Sequence, residues 1–180
     1  LRIAMRFTPM SLSGAYLIQL ERRTDARGTF ARAFCAREFA AQGLRESFVQ
    51  ANISTNLKAG TVRGLHFQRD PHAEAKLVQC VKGSIYDVVV DMRKESATYL
   101  QWTGAELSDA NGMMIYVPAG FAHGYQTLLD ETNVLYLVSE FYTPESEGGL
   151  RHNDPKLAIE WPHAVSEISE KDGRWPLLPA

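Results

Sequence analysis

From Phe48 to Tyr142 the chain repeats one local signature: a short run rich in β-branched and aromatic residues, closed by glycine or another turn former. The spacing predicts strands over 48–56, 61–67, 76–82, 85–91, 102–108, 113–117, 125–129 and 133–142. Gly60, Gly83, Asn111-Gly112 and Gly120 punctuate them. No helical period separates these runs, so crossover helices and a parallel sheet are excluded. An antiparallel sandwich or barrel follows, with a jelly roll as the leading architecture. Short helices are expected only at the flanks, over 36–42 before Gly43 and over 167–172. With 180 residues, 45% of them hydrophobic, the chain can bury a full core. Without a repeat or linker to divide it, residues 1–180 read as one domain with N- and C-terminal extensions.

Charge and cysteine usage narrow the partners. A formal net charge of -2 with scattered arginines gives no broad positive field, so nucleic acid is not an expected partner. Cys35 and Cys80 sit in apolar surroundings without CxxC spacing, which predicts two buried free thiols in a reducing compartment. No apolar run approaches the roughly 20 residues of a membrane span. The first residues lack the basic, apolar, small-residue order of a signal peptide. No membrane partner and a cytoplasmic location are the expectations.

Several residues could carry chemistry, each with a plainer alternative beside it. In Thr61-Val62-Arg63-Gly64-Leu65-His66-Phe67-Gln68, strict alternation puts His66 on the face of Val62, Gly64 and Gln68, opposite Arg63. Gly64 removes bulk beside the histidine, which suits a strand lining a ligand cavity. A core histidine satisfied by a neighbour is an equal reading of this segment. Tyr136 lies between Val134 and Val138 on one strand face, as a core anchor or as a general acid facing a base. Lys76, on the face of Val78 and Cys80, either guards a strand edge or stabilises an oxyanion. Pro118 to Gly124 reads as a turn that carries His123. Arg27 with Phe30 offers a guanidinium and a ring, a pair suited to a nucleoside diphosphate. Metal is the competing use for these histidines, yet no His-x-His pair occurs. His66 and His72 are separated by Pro71, and only a convergence of His66, Glu74 and His123 would supply ligands.

In order and spacing, these segments resemble the dTDP-4-dehydrorhamnose 3,5-epimerase family. The landmarks are Arg27-Gly28-Thr29-Phe30, Gln50-Ala51-Asn52, Arg63 to Gln68, Lys76-Leu77-Val78, Asp87 to Arg93, Pro118 to Gly124, Asn153-Asp154-Pro155 and Ser169 to Asp172. The resemblance runs over nearly the whole chain. It implies a cupin-like double-stranded β-barrel, used without a metal or other cofactor, and a homodimer that exchanges strands. It implies epimerisation of a nucleotide-activated 4-keto-6-deoxy sugar at C3 and C5, converting dTDP-4-dehydro-6-deoxy-D-glucose to dTDP-4-dehydro-L-rhamnose through an enolate. Relatives that invert one carbon, or isomerise a different nucleotide-deoxysugar, are the alternative.

By the same resemblance, His66 matches the base, Asp172 the carboxylate that orients it, Tyr136 the opposing acid and Lys76 the cation near the ketone oxygen. Arg27, Phe30, Gln50, Asn52, Arg63, His123, Tyr142 and Glu147 match substrate-binding positions, with Tyr142 as a stacking surface for the base. Arg27 and Phe30 are expected to reach the other subunit's site. Gln79 and Ala75 depart from the basic residue and the glycine common at those positions. One tension follows from alternation: Arg63 and His66 serve one site only if Gly64 marks a bulge or Arg63 acts across a subunit boundary.

Overall fold

The computed structural model describes residues 4–179. Its N-terminal part holds β1 (Met5–Pro9), β2 (Tyr16–Leu20), a hairpin of β3 (Arg23–Asp25) with β4 (Gly28–Phe30), and α1 (Ala36–Ala40). The central run is β5 (Gln50–Asn56), β6 (Thr61–Gln68), β7 (Lys76–Lys82), β8 (Ser84–Asp91), β9 (Trp102–Ser108), β10 (Met113–Val117), β11 (Phe121–Thr127) and β12 (Thr132–Val138). The tail adds β13 (Glu147–Gly149), β14 (Glu167–Ile168) and α2 (Glu170–Gly173). One sheet runs β1-β2-β10-β7-β12-β5 and the other β13-β6-β11-β8-β9, with β14 also paired to β6. Among the described residues, every pairing apart from the parallel β14–β6 contact is antiparallel. This is the mainly β, cupin-like jelly roll with short flanking helices that the sequence predicts.

Alternation along the strands sorts side chains into three layers of core. Ile85 and Val89 of β8 point inward with Val78, Ile115, Phe121, Tyr125 and Val134, filling the space between the sheets. The intervening Val88 and Val90 point outward, where Leu150, Leu157, Trp161 and Leu178 of the tail cover them with Leu65 and Ala122. A strand buried on both faces needs apolar residues at successive positions, which Val88-Val89-Val90 of β8 supply. On the far side of the other sheet, Phe39 of α1 is fully buried within a cluster with Phe7, Phe34, Phe48 and Tyr116. Its ring meets those of Phe7 and Phe34 edge-on at 5.3 and 5.0 Å. The two extensions therefore act as outer covers, one for each sheet.

The structure corrects several boundaries. β11 starts at Phe121 rather than Tyr125, so the expected turn over 118–124 ends at Gly120. Ala122 and Gly124 are small enough to resemble a turn, whereas here they admit close packing within β11. A Cβ on Gly124 would sit 2.7 Å from the Arg63 carbonyl oxygen. β12 stops at Val138 instead of running to Tyr142, because side chains take over the backbone bonds beyond it. Ser139 Oγ accepts from the Ala75 amide at 2.9 Å, Gln50 Oε1 from Tyr142 at 2.9 Å and Gln68 Oε1 from Thr143 at 2.6 Å. The helix expected over 167–172 opens instead as β14, and α2 begins only after Ser169, whose Oγ accepts the Asp172 amide at 3.1 Å. β1 and β2 were not anticipated, since β2 is specified by pairing with the distant Met113–Tyr116 segment. Cys80 is buried as expected, its thiol pushed up to about 11 by burial, but Cys35 is only half-buried.

Candidate active site

A cavity of about 590 Å³ opens between the two sheets at the end where β6, β7, β11 and β12 come together. His66 reaches it from β6 and His123 from β11, and the two face each other as a directly paired position of the ladder. From the opposite sheet come Lys76 of β7 and Tyr136 of β12. The segment Glu167–Asp172 closes one side.

The tension over Arg63 resolves at Gly64. Between the paired positions His123↔His66 and Tyr125↔Arg63, β11 advances two residues while β6 advances three. That extra residue is a bulge, and it rotates Arg63 onto the cavity side while Leu65 turns into the outer core. Gly64 alone fits there: its φ is +116°, and a Cβ would lie 2.6 Å from the Gly124 Cα. Simple alternation is thus corrected, and Arg63 and His66 line one cavity within one chain.

His66 Nε2 lies 2.6 Å from Asp172 Oδ1, while Asp172 Oδ2 accepts the Gly64 amide at 3.1 Å. Burial works to raise the Asp172 carboxyl, but the bonds from His66 and Gly64 outweigh it and leave the group below its ordinary value. An ionised carboxylate only accepts, so Nε2 carries a proton and Nδ1 is the nitrogen that holds the lone pair of the neutral ring.

A second histidine–carboxylate pair stands beside the first: His123 Nε2 is 2.8 Å from Asp87 Oδ2, with Asp87 fully buried. Burial raises the Asp87 carboxyl despite the nearby His123 and Lys76, and Oδ1 has no hydrogen-bond partner among the described residues. Lys76, only 7% exposed, pairs with Glu74 at 3.1 Å and reaches the His66 carbonyl at 3.4 Å. Tyr136 packs against the inner core, where burial raises its phenol and Glu74 raises it further against the opposing effect of Arg63. A phenol so placed stays protonated.

Lys171, which lines the cavity, pairs with Glu147 at 2.6 Å, and Tyr142 donates its hydroxyl to Glu147 at 3.2 Å; neither Glu147 nor Tyr142 lines the cavity itself. Gln50 holds the Tyr142 amide, and Asn52 stands opposite Tyr136 in the β5–β12 ladder without lining the cavity. Arg27 and Phe30 are apart from this group. They lie exposed on the β3–β4 hairpin beside a separate cavity of about 390 Å³, with Arg27 paired to Asp25 at 2.6 Å. Glu74 is committed to Lys76, and among the described residues no group of three His, Cys, Asp or Glu side chains is placed to hold a metal ion.

Sequence reasoning gave no site role to Asp87 or Lys171, to Ser54 and Tyr125, which also line the cavity, or to Asn56, which bonds Arg63. Asp87 left a trace, a carboxylate ahead of three valines on a strand buried on both faces. Lys171 stood only within the Ser169 to Asp172 landmark, and Ser54, Asn56 and Tyr125 left no trace, because hydroxyls and amides on strands are ordinary until the partner strand is known.

Residues 9–180 match the family model described as dTDP-4-dehydrorhamnose 3,5-epimerase. The chain is 45% identical over 176 residues to the dTDP-4-dehydrorhamnose 3,5-epimerase of Methanothermobacter thermautotrophicus, covering 96% of this chain and 94% of that protein. A crystal structure of the Bacillus anthracis dTDP-4-dehydrorhamnose 3,5-epimerase with TDP and PPi bound superposes with a TM-score of 0.94 at 43% identity. The match covers 97% of this chain and all (100%) of that one. The Legionella pneumophila dTDP-6-deoxy-D-glucose-3,5-epimerase in complex with dTDP-4-keto-L-rhamnose gives a TM-score of 0.91 at 35% identity, covering 97% of this chain and 93% of that one.

Proposed function

The chain belongs to the dTDP-4-dehydrorhamnose 3,5-epimerase family, and from that premise we propose that it epimerises dTDP-4-dehydro-6-deoxy-D-glucose at C3 and C5, giving dTDP-4-dehydro-L-rhamnose. The observation that carries this reading is the pair of His66, on one sheet, with Asp172 of α2, set across the cavity from Tyr136 and Lys76 on the other sheet.

Protons at C3 and C5 of a 4-keto sugar are acidic because the carbanion delocalises onto the C4 oxygen, so the site must stabilise an enolate. His66 Nδ1 removes the proton, and Asp172 stabilises the imidazolium that forms. Lys76, held by Glu74 at the cavity wall, directs its ammonium N–H groups at the oxyanion, with His123 beside it. Tyr136 returns a proton from the opposite face, which converts exchange into inversion. His66 then passes its proton to solvent and the Tyr136 phenolate regains one from it, which restores both groups for the next inversion.

The nucleotide lies towards Arg63, Tyr142 and Glu147, with Gln50 and Asn52 fixing the wall behind them. Arg27 and Phe30 serve the partner subunit's site in a homodimer that exchanges strands. That reading is supported by the hairpin that exposes Phe30 at 62% and by Ile53, 70% exposed on the edge strand β5. The 180 residues act as one domain, and the two unpaired cysteines suit the reducing cytoplasm. No described helix is long and apolar enough to cross a membrane.

Incubation with dTDP-4-keto-6-deoxyglucose in deuterated water tests the assignment. Label at both C3 and C5, with inversion, is the expected result. Label at one carbon means a mono-epimerase, and label at neither removes the proposal.

A further inference from the structure

We propose that Asn56 is a positioning residue that orients the Arg63 guanidinium for the substrate's diphosphate. The inference rests on the reading above that Arg63 faces the nucleotide.

Arg63 rides on the bulge of β6 with an exposed side chain, the situation in which an arginine samples many rotamers. Its Nε nevertheless donates to Asn56 Oδ1 at 2.7 Å. Asn56, at the end of β5 and 2% exposed, is itself fixed: its Nδ2 donates to the Thr132 carbonyl at 3.0 Å and to the Tyr125 hydroxyl at 3.4 Å. The orientation of this amide is not a free choice. The Thr132 carbonyl only accepts and the Arg63 Nε only donates, so the oxygen must face the arginine.

Two consequences follow for an anion in the cavity. Because Arg63 is held by Nε, its two Nη groups, which have no hydrogen bond among the described residues, are left as an edge suited to bidentate contact with a phosphate. Because the holder is a neutral amide, the guanidinium charge stays uncompensated. A carboxylate at the same place would fix the arginine and cancel much of its attraction for the diphosphate. None of the proton-transfer groups His66, Asp172, Lys76 and Tyr136 hydrogen-bonds to Asn56.

Calorimetric titration with TDP on the full chain tests this, using Asn56→Ala, Arg63→Gln and the double variant, each checked by its thermal transition. Losing a bond to a charged group corresponds to about tenfold or more in affinity, so Asn56→Ala is expected to weaken TDP binding by that factor. KM for the nucleotide sugar should rise with it while kcat falls by less. In the Arg63→Gln background the same substitution should change TDP affinity by less than about twofold, since the two residues act as one unit. Should Asn56→Ala not fold, Asn56→Ser carries the same comparison, keeping a hydroxyl for the Thr132 carbonyl but too short to reach Nε. An unchanged TDP affinity in the Asn56 variant, with Arg63→Gln clearly weakened, overturns the positioning role and leaves Arg63 at the nucleotide. An equal loss in both backgrounds also overturns it. If Arg63→Gln binds TDP like the parent chain, the nucleotide assignment of Arg63 falls and the inference falls with it.

Discussion

Replacing Asp172 by asparagine should damage activity more than replacing it by alanine, and the reason lies in the two oxygens of one carboxylate. Oδ2 accepts the Gly64 amide, which can only donate, so in Asp172→Asn the carbonyl oxygen must stay on that side. The amide NH2 then takes the place of Oδ1, 2.6 Å from His66 Nε2. A donor facing Nε2 forces the ring proton onto Nδ1, the atom assigned to abstract the substrate proton. Asp172→Ala removes the charge partner but leaves the tautomer free to adjust. A charge-assisted hydrogen bond is worth about 1.5–3 kcal/mol, so the alanine variant should lose roughly 10- to 150-fold in kcat/KM. The asparagine variant adds the wrong tautomer, a defect worth about 10⁴ in kcat in a Ser-His-Asp triad, and should fall by roughly 10³ to 10⁴. Both are measured by coupled assay with dTDP-4-keto-6-deoxyglucose and by solvent deuterium wash-in. An asparagine variant as active as the alanine variant, or more so, would refute the assignment of Nδ1 as the base.

Two further outcomes follow from the same geometry. Tyr136→Phe should lower inversion by about 10² to 10⁴ while His66 still exchanges the abstracted proton with solvent, so deuterium should enter without a change of configuration; product analysis by NMR reads both. Asp91 is fully buried and accepts from Arg93, Ser96 and Thr98; burial works to raise its carboxyl, but these bonds leave it well below its ordinary value. A depressed carboxyl stabilises the fold above its unfolded value of about 3.9, and that stabilisation is lost as pH falls towards the folded value. Asp91→Asn should therefore be less stable than the parent at pH 7, with the difference narrowing from about pH 4 downward in urea unfolding.

Much of the barrel was legible because strand periodicity is a local property. The bounds of β7, β9 and β10 follow from their own residues and the turns beside them. His66, Asp172, Tyr136 and Lys76 were reached by resemblance, since Asp172 is distant in sequence from His66 and no period links them. What failed were the places where neighbours override the local pattern. Ala122 and Gly124 look like a turn but lie in a strand because two backbones approach there. β12 ends where Gln68, Gln50 and Ser139 claim its hydrogen bonds.

The sequence by itself determined the fold class, the strand-borne histidine and the chemistry that a histidine, a carboxylate, a phenol and an ammonium can share. Only the tertiary structure decided which of them meet. The bulge at Gly64 placed Arg63 beside His66, the tail carried Asp172 to Nε2, and Asn56 was found to hold the arginine. Side-chain alternation is set by backbone geometry within a strand. A bulge and a buried hydrogen bond are set by what lies across from it, and a strand's own residues do not record its partner.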